Sequence, residues 1–221
     1  MIKNIKIALI DTFGVLIAYV VMGIAFGILA YSNSFSFIEV LFSAVFVFSG
    51  SLQFLLLNLL ANNAGIFEIL LACILINTRH FFYVLGTLNY FKTMGFIKFY
   101  AIFALTDESF AILGSKQYSK QIALLILFFN HLYWISGCVL GYLLASVLKS
   151  DYSALSFSLN ALFIVLAYEL YIKNKEKLVF LIAIVISFLG LIFIDKDLMI
   201  LSCIFSALII LLIGKKLCLI R

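Results

Sequence analysis

Eight apolar runs, each near the length that crosses a bilayer, take up almost the whole of this 221-residue chain. They cover about 7–31, 37–61, 65–91, 96–115, 121–148, 155–172, 177–194 and 198–214, and the connectors between them leave no room for a soluble domain. A span needs about 20 apolar residues. Two thirds of the residues are hydrophobic and 11% are charged, a composition of polytopic membrane proteins rather than of soluble ones. The expected fold is all-α, a transmembrane helical bundle forming one integral-membrane domain over residues 1–221.

The charges orient the bundle. Cytoplasmic loops are enriched in Lys and Arg. With the N terminus inside, ten basic residues fall inside (Lys3, Lys6, Lys116, Lys120, Lys173, Lys175, Lys177, Lys215, Lys216, Arg221) and four outside (Lys92, Lys98, Lys149, Lys196). Both termini are therefore expected in the cytoplasm, with an even number of spans. The first run follows two lysines but is too long for a cleaved signal and lacks a small-residue cleavage pattern, so it reads as a retained helix. A net charge of +5 does not mark a nucleic-acid binder, because the lysines are scattered over span ends without a patch. Cys73, Cys138, Cys203 and Cys218 fall singly in apolar runs and read as small packing residues, with no metal or other cofactor implied. Proline is absent, so helix breaks are expected at Gly and Ser.

Three polar clusters interrupt consecutive spans near their midpoints: Ser49-Gly50-Ser51-Leu52-Gln53, Asn77-Thr78-Arg79-His80 and Thr106-Asp107-Glu108-Ser109. Midpoints of adjacent spans share a depth, so the clusters are expected to meet at the bilayer centre. An arginine at that depth costs roughly 2.5–3.5 kcal/mol on insertion scales and calls for a partner or a purpose. Gly50, flanked by serines, loosens the helix, and irregular backbone at this depth lines a cavity or is buried in protein. Transporters use such breaks to present half-helix ends to substrates. Close helix packing at Gly50 is the plainer reading, but Gln53, a long amide, suits packing poorly and favours the cavity. Spans three and four have polar centres, and one of them is expected as a pair of half-helices.

Asp107 and Glu108 lie about 100° apart on a helix and cannot face the same way. One is expected to neutralise Arg79 and the other to face the cavity. An ion pair made only for folding would need one carboxyl; two carboxyls, His80 and Arg79 exceed that need. On the same helix Asn77 and His80 share a face. His131, early in the fifth span, reads as a hydrated or satisfied histidine rather than a proton relay. Gly137 and Gly141, spaced as Gly-x-x-x-Gly, suit close helix contact. Trp134, Tyr133 and Tyr142 fit interface or core, Asp11 fits cavity or surface, and Glu169, Lys173, Asp195 and Lys196 read as solvated span ends.

These clusters also carry a resemblance. Phe48-Ser49-Gly50-Ser51-Leu52-Gln53-Phe54 resembles (F/Y)-A-G-A-S-Q-F, Asn77-Thr78-Arg79-His80 with Tyr83 resembles N-x-R-H-x-x-Y, and Leu105-Thr106-Asp107-Glu108-Ser109-Phe110 resembles L-T-D-E-x-F, in the same order. Gly23 to Ala30 is similar to the first shared stretch of the same family, the AzlC-type large subunit of branched-chain amino-acid exporters. Val21 and Leu52 depart from it, standing where the family usually has proline and serine. The resemblance implies a permease of the cytoplasmic membrane that exports branched-chain amino acids together with a small AzlD-type membrane subunit.

A branched-chain amino acid is a zwitterion with an apolar side chain. Arg79 or the break at Gly50 suits its carboxylate, Asp107 or Glu108 its ammonium, and the surrounding Phe and Leu its side chain. Ser51, Gln53 and Asn77 complete the expected binding set, with His80, Asp107 and Glu108 available for proton coupling. No Gly-rich nucleotide loop is present to drive export by ATP. An intramembrane serine hydrolase built on Ser49 or Ser51 with His80 or His131 is the rival of another class, but such an enzyme has no use for an arginine beside paired carboxyls. An ion channel or a structural membrane subunit is the remaining alternative.

Overall fold

In the computed structural model the described residues are 2–92, 94–148 and 177–193, with isolated positions between 164 and 210. They are helical apart from turns and short connectors, with no strand among them. The chain forms two compact units, one of residues 1–63 with 73–156, the other of 64–72 with 157–221. The sixth and eighth expected spans, and with them Glu169, Lys173, Asp195 and Lys196, lie largely or wholly outside the described residues.

The first unit opens with α1 (Ile2–Asp11) and α2 (Phe13–Ser32). The expected first run is therefore divided at Thr12, whose hydroxyl donates to the Ala8 carbonyl at 2.8 Å. The second expected span is two half-helices, α3 (Phe37–Phe46) and α4 (Gly50–Ala61). Ser36 starts α3 with a reciprocal cap, its side chain accepting from the Glu39 amide while Glu39 takes the Ser36 amide at 2.7 Å. The third span is one unbroken helix, α5 (Ile66–Phe91), despite its polar centre. The fourth is again divided, into α6 (Ile97–Phe103) and α7 (Asp107–Ser115). The fifth is α8 (Lys120–Leu148).

Both breaks have the same form, three residues off the helical path, the last of them the polar N-cap from which the helix resumes. The first, Val47-Phe48-Ser49, turns through Phe48 at a φ of 37°. The second, Ala104-Leu105-Thr106, contains neither Gly nor Ser, contrary to the expectation. Its Thr106 side chain instead caps α7 by accepting from the Ser109 amide at 3.3 Å.

The unit is assembled on α2 and α8, which approach through two glycine pairs. A Cβ on Gly23 would stand 2.8 Å from the Cys138 amide nitrogen and one on Gly137 2.9 Å from the Tyr19 carbonyl oxygen. Gly27 and Gly141 press harder still on the backbone of Cys138 and Ile24. Gly137-x-x-x-Gly141 is thus the packing motif its spacing suggested, and its counterpart is Gly23-x-x-x-Gly27. Against this seam lie the buried rings of Tyr19, Phe26, Phe54 and Trp134, joined edge to face. Outward, Phe13, Ile17 and Val21 of α2 and Phe81 and Phe82 of α5 are exposed, as suits a surface solvated by lipid.

By length and hydropathy α2, α5 and α8 each suffice to cross a membrane alone, whereas α3 and α4 do not. Together α3 and α4 reach roughly 33 Å at 1.5 Å per residue, about the thickness of the hydrocarbon core. In the second unit the described helix α9 (Lys177–Phe193) is apolar and largely exposed, with Gly190 close to Cys203.

Candidate functional site

Arg79, on α5, joins the starts of the two resumed half-helices. Its Nη1 donates to Oδ2 of Asp107 at 2.5 Å and its Nη2 to Oγ of Ser51 at 2.7 Å. Asp107 is the first residue of α7 and Ser51 the second of α4, so a single guanidinium holds both N-terminal ends together. The pair is not sealed, since the Arg79 and Asp107 side chains keep 43% and 44% of their surface open. The three polar clusters expected to meet thus contribute one residue each to a common contact.

The two helix starts differ in charge. Ser49 stands at the N-cap of α4 without a side-chain bond to its first turn, which leaves amide donors there without a cap. With the partial positive charge of a helix start and Arg79 alongside, this end suits an anion. By contrast α7 is capped by Thr106 and begins with two carboxylates. That end suits a cation.

Glu108 does not share Arg79 with its neighbour. Its Oε2 accepts from the hydroxyl of the buried Tyr19 at 2.6 Å, and the same hydroxyl lies 2.7 Å from Oγ1 of Thr106. From Thr106 the contacts continue to Oγ of Ser109 at 3.0 Å, which also accepts from the buried Asn130 amide at 2.9 Å. Tyr83 stacks on Phe110 at 4.8 Å beside Asp107. Nothing in the pattern of the sequence pointed to Tyr19, which, like Asn130, reaches the site from a helix remote along the chain.

The other expected residues are placed differently. Gly50 faces the Trp134 ring, where a Cβ would stand 3.1 Å from the indole. Gln53 is 1% exposed, its carbonyl accepting from Trp134 Nε1 at 2.7 Å and its amide donating to Ser43 at 3.1 Å. Two positions along a helix turn through about 200°, so Gln53 looks away from Ser51. It lines an apolar cavity of about 330 Å³ between α2, α3 and α4 with Phe26, Val40, Ser43 and Leu57. Asn77 is exposed, and its side chain joins no hydrogen bond among the described residues. His80 Nε2 lies 2.8 Å from the Ile102 carbonyl at the end of α6. His131 is buried on α8, with Nδ1 3.2 Å from the Tyr100 hydroxyl and Nε2 without a hydrogen-bond partner among the described residues. Ser51 is bonded to Arg79, and neither His80 nor His131 is bonded to a serine hydroxyl.

Outside the spans, Asp11 at the end of α1 meets the loop between α7 and α8. It accepts from Lys116 at 2.8 Å and from the Tyr118 hydroxyl at 2.9 Å. The Lys116 bond, followed by that of Tyr118, holds the Asp11 carboxyl below its ordinary 3.8 against an opposing desolvation. Asp11 in turn raises the Lys116 ammonium above 10.5. Asn4 and Gln121 add a hydrogen bond of 2.8 Å between α1 and α8.

The family model of the AzlC protein matches residues 14–148, which run from the start of α2 to the end of α8 and contain every residue of the Arg79 contact. The branched-chain amino acid transport protein AzlC of Bacillus subtilis strain 168 is 31% identical over 170 residues, 75% of this chain and 67% of that protein. A membrane protein of Helicobacter pylori strain 26695 is 32% identical over 183 residues, 79% of this chain and 78% of its own. The inner membrane protein YgaZ of Escherichia coli K12 is 28% identical over 170 residues, covering 69% and 67% of the two chains. No solved structure matches.

Proposed function

Because this chain belongs to the AzlC family of membrane transport proteins, we propose that it exports branched-chain or similar small apolar amino acids across the cytoplasmic membrane, driven by protons. The observation that carries this reading is the Arg79 contact, which sets an uncapped helix start beside an acidic one. A zwitterion matches both. Its carboxylate is received by Arg79, Ser51 and the first-turn amides of α4, and its ammonium by Glu108.

Protons and the substrate ammonium then compete for the Glu108 carboxylate. A proton taken up there from one side expels the ammonium, and its release on the other side readmits it, which is exchange in opposite directions. Asp107 stays engaged with Arg79 and keeps the contact neutral. Gly50, Gln53 and Trp134 fix the angle of α4, and His80 fixes the end of α6. Asn77 lines the outer approach.

The remaining features of the proposal concern assembly. The chain acts as one membrane domain of eight spans with both termini cytoplasmic, a reading supported by the meeting of Asp11, which closely follows the inside residues Lys3 and Lys6, with Lys116, also counted inside. It works with a small AzlD-type membrane subunit. Efflux of labelled leucine, isoleucine and valine from vesicles holding the chain, with and without that subunit and with an imposed pH gradient, tests the whole reading. Gradient-dependent efflux of these substrates is expected, and its absence with the subunit present would overturn it.

A further inference from the structure

Between the two helix breaks lies a group that the transport site does not use. His131 of α8 is 8% exposed. Its ring lies over Phe48 of the first break, with centroids 4.3 Å apart and planes inclined by 35°, and meets the edge of Phe103 at the end of α6 at 5.7 Å. Nδ1 is 3.2 Å from the Tyr100 hydroxyl. Nε2 is buried without a hydrogen-bond partner, and the backbone of Ala44 and Val45 at the end of α3 lies close enough to act on the ring. The break leaves helix-end carbonyls open there, because the Phe48 amide turns back past Ala44 to Ser43, which the Val47 amide already takes in the ordinary helical bond.

Every polar atom around this ring is able to accept a hydrogen bond. A neutral imidazole has one N–H to give and a cation has two. In the cation, Nε2–H points at the carbonyl end of α3, where the helix carries its partial negative charge, and Nδ1–H at the Tyr100 oxygen. The face of Phe48 adds the attraction of an aromatic ring for a cation. These three contacts oppose the desolvation that burial imposes on a charge. Tyr100 is the titratable side chain in contact with the ring; α3 and the break bring carbonyls and an apolar ring, α6 adds Phe103, and no charged side chain acts on it among the described residues.

We infer that His131 is a second proton-binding site of the protein, exchanging its proton at Nδ1 through Tyr100 while Nε2–H stays on the open carbonyls of α3. In release, Nδ1 passes its proton to the Tyr100 oxygen as the phenol gives its own proton to water, and the phenol then donates back to Nδ1. Uptake reverses these transfers. Charge at His131 draws the end of α3 toward the ring, and loss of charge frees it, so the site reports protonation to the α3–α4 break and to Ser51 beyond it. Its role in transport rests on the proton-driven reading above; proton binding itself does not.

The chain holds only two histidines, so selective labelling resolves each. Protein carrying 15N,13C-histidine, in lipid nanodiscs, would be followed by NMR over pH, with His80→Gln and His131→Gln assigning the signals. The His131 ring is expected to pass between neutral and charged forms within about pH 5 to 8, and Tyr100→Phe to move its midpoint. A ring that keeps one form over that range, or a midpoint indifferent to Tyr100→Phe, overturns the inference. In vesicles, His131→Gln should lower leucine accumulation to the level reached without a pH gradient, and accumulation at the wild-type level overturns the coupling role. Wild-type vesicles that move no amino acid would sink the transport reading instead, with the NMR titration still deciding the proton site.

Discussion

The Tyr19 hydroxyl donates to Glu108 across 2.6 Å while the adjacent Asp107 takes Arg79, so two consecutive carboxylates hold partners from helices far apart in the chain. The division predicts opposite outcomes for the two amide variants. Glu108→Gln should fold normally, raise the KM for substrate and lose gradient-driven export, retaining only slow downhill exchange. Asp107→Asn should leave Arg79 without its counter-charge and lower the yield of folded protein. Vesicle transport with and without a pH gradient, beside fluorescence-detected size exclusion, separates the two; pH-driven export at full rate by Glu108→Gln would refute the assignment.

Arg79 cannot be replaced by another cation. The guanidinium reaches Ser51 and Asp107 with two different nitrogens, whereas an ammonium is a compact point charge on a flexible stem. Arg79→Lys should keep the charge and lose one of these bonds. A hydrogen bond to a charged group contributes about 1.5–3 kcal/mol, so transport should fall on the order of tenfold or more. Initial rates of leucine exchange check this, and an unchanged rate would show that the bridge between α4 and α7 is dispensable.

The α2–α8 seam should tolerate no side chain. Gly23→Ala or Gly137→Ala places a Cβ within 2.9 Å of facing backbone, and overpacking of this kind costs about 1–3 kcal/mol. Gly14 is near the start of the same helix with nothing within 4 Å of a Cβ. Gly14→Ala should therefore be neutral or stabilising by up to about 1 kcal/mol, from helix propensity alone. Thermal unfolding in detergent would show the contrast, and equal behaviour of the two sites would contradict the backbone contact.

The clasp of Asp11 with Lys116 should give a stability difference bounded on both sides in pH. Asp11 is shifted down, so its contribution is complete above its ordinary 3.8 and disappears as the pH falls through the lower folded value. Lys116 is shifted up, so its contribution is complete below 10.5 and disappears as the pH rises through the higher folded value. The difference in Tm between wild type and Asp11→Asn should thus be constant between these limits, shrink beyond them, and weaken with salt because the pair is at the surface. A difference that instead grew toward low pH would exclude the ion pair as its source.

How far the sequence revealed this arrangement depended on contrast. Arg79, Asp107 and Ser51 stand out because their surroundings are apolar, and the cost of polar groups in hydrocarbon makes their meeting foreseeable from depth alone. The break at Ser49-Gly50 was visible for the same reason. The break at Ala104-Leu105-Thr106 was less so, since only the capping residue Thr106 marks it, and α5 continues through Asn77 to His80 where its polarity suggested interruption. Gln53 bonded to Trp134, Asn130 bonded to Ser109 and the seam at Gly23 and Gly27 are matters of which helices touch, and that information is not carried by local spacing.

The first break has a property that follows from the absence of proline. Val47, Phe48 and Ser49 all keep their amide hydrogens, and Phe48 alone holds a positive φ, of 37°. A proline kink removes a donor for good, but here nothing in the covalent structure prevents these residues from rejoining α3 and α4 as one continuous rod. Only hydrogen bonds and packing hold the bend, and straightening it would close the open carbonyls of α3 and withdraw the first-turn amides of α4 in a single movement. Opening and erasing the uncapped end of α4 would then be one and the same change.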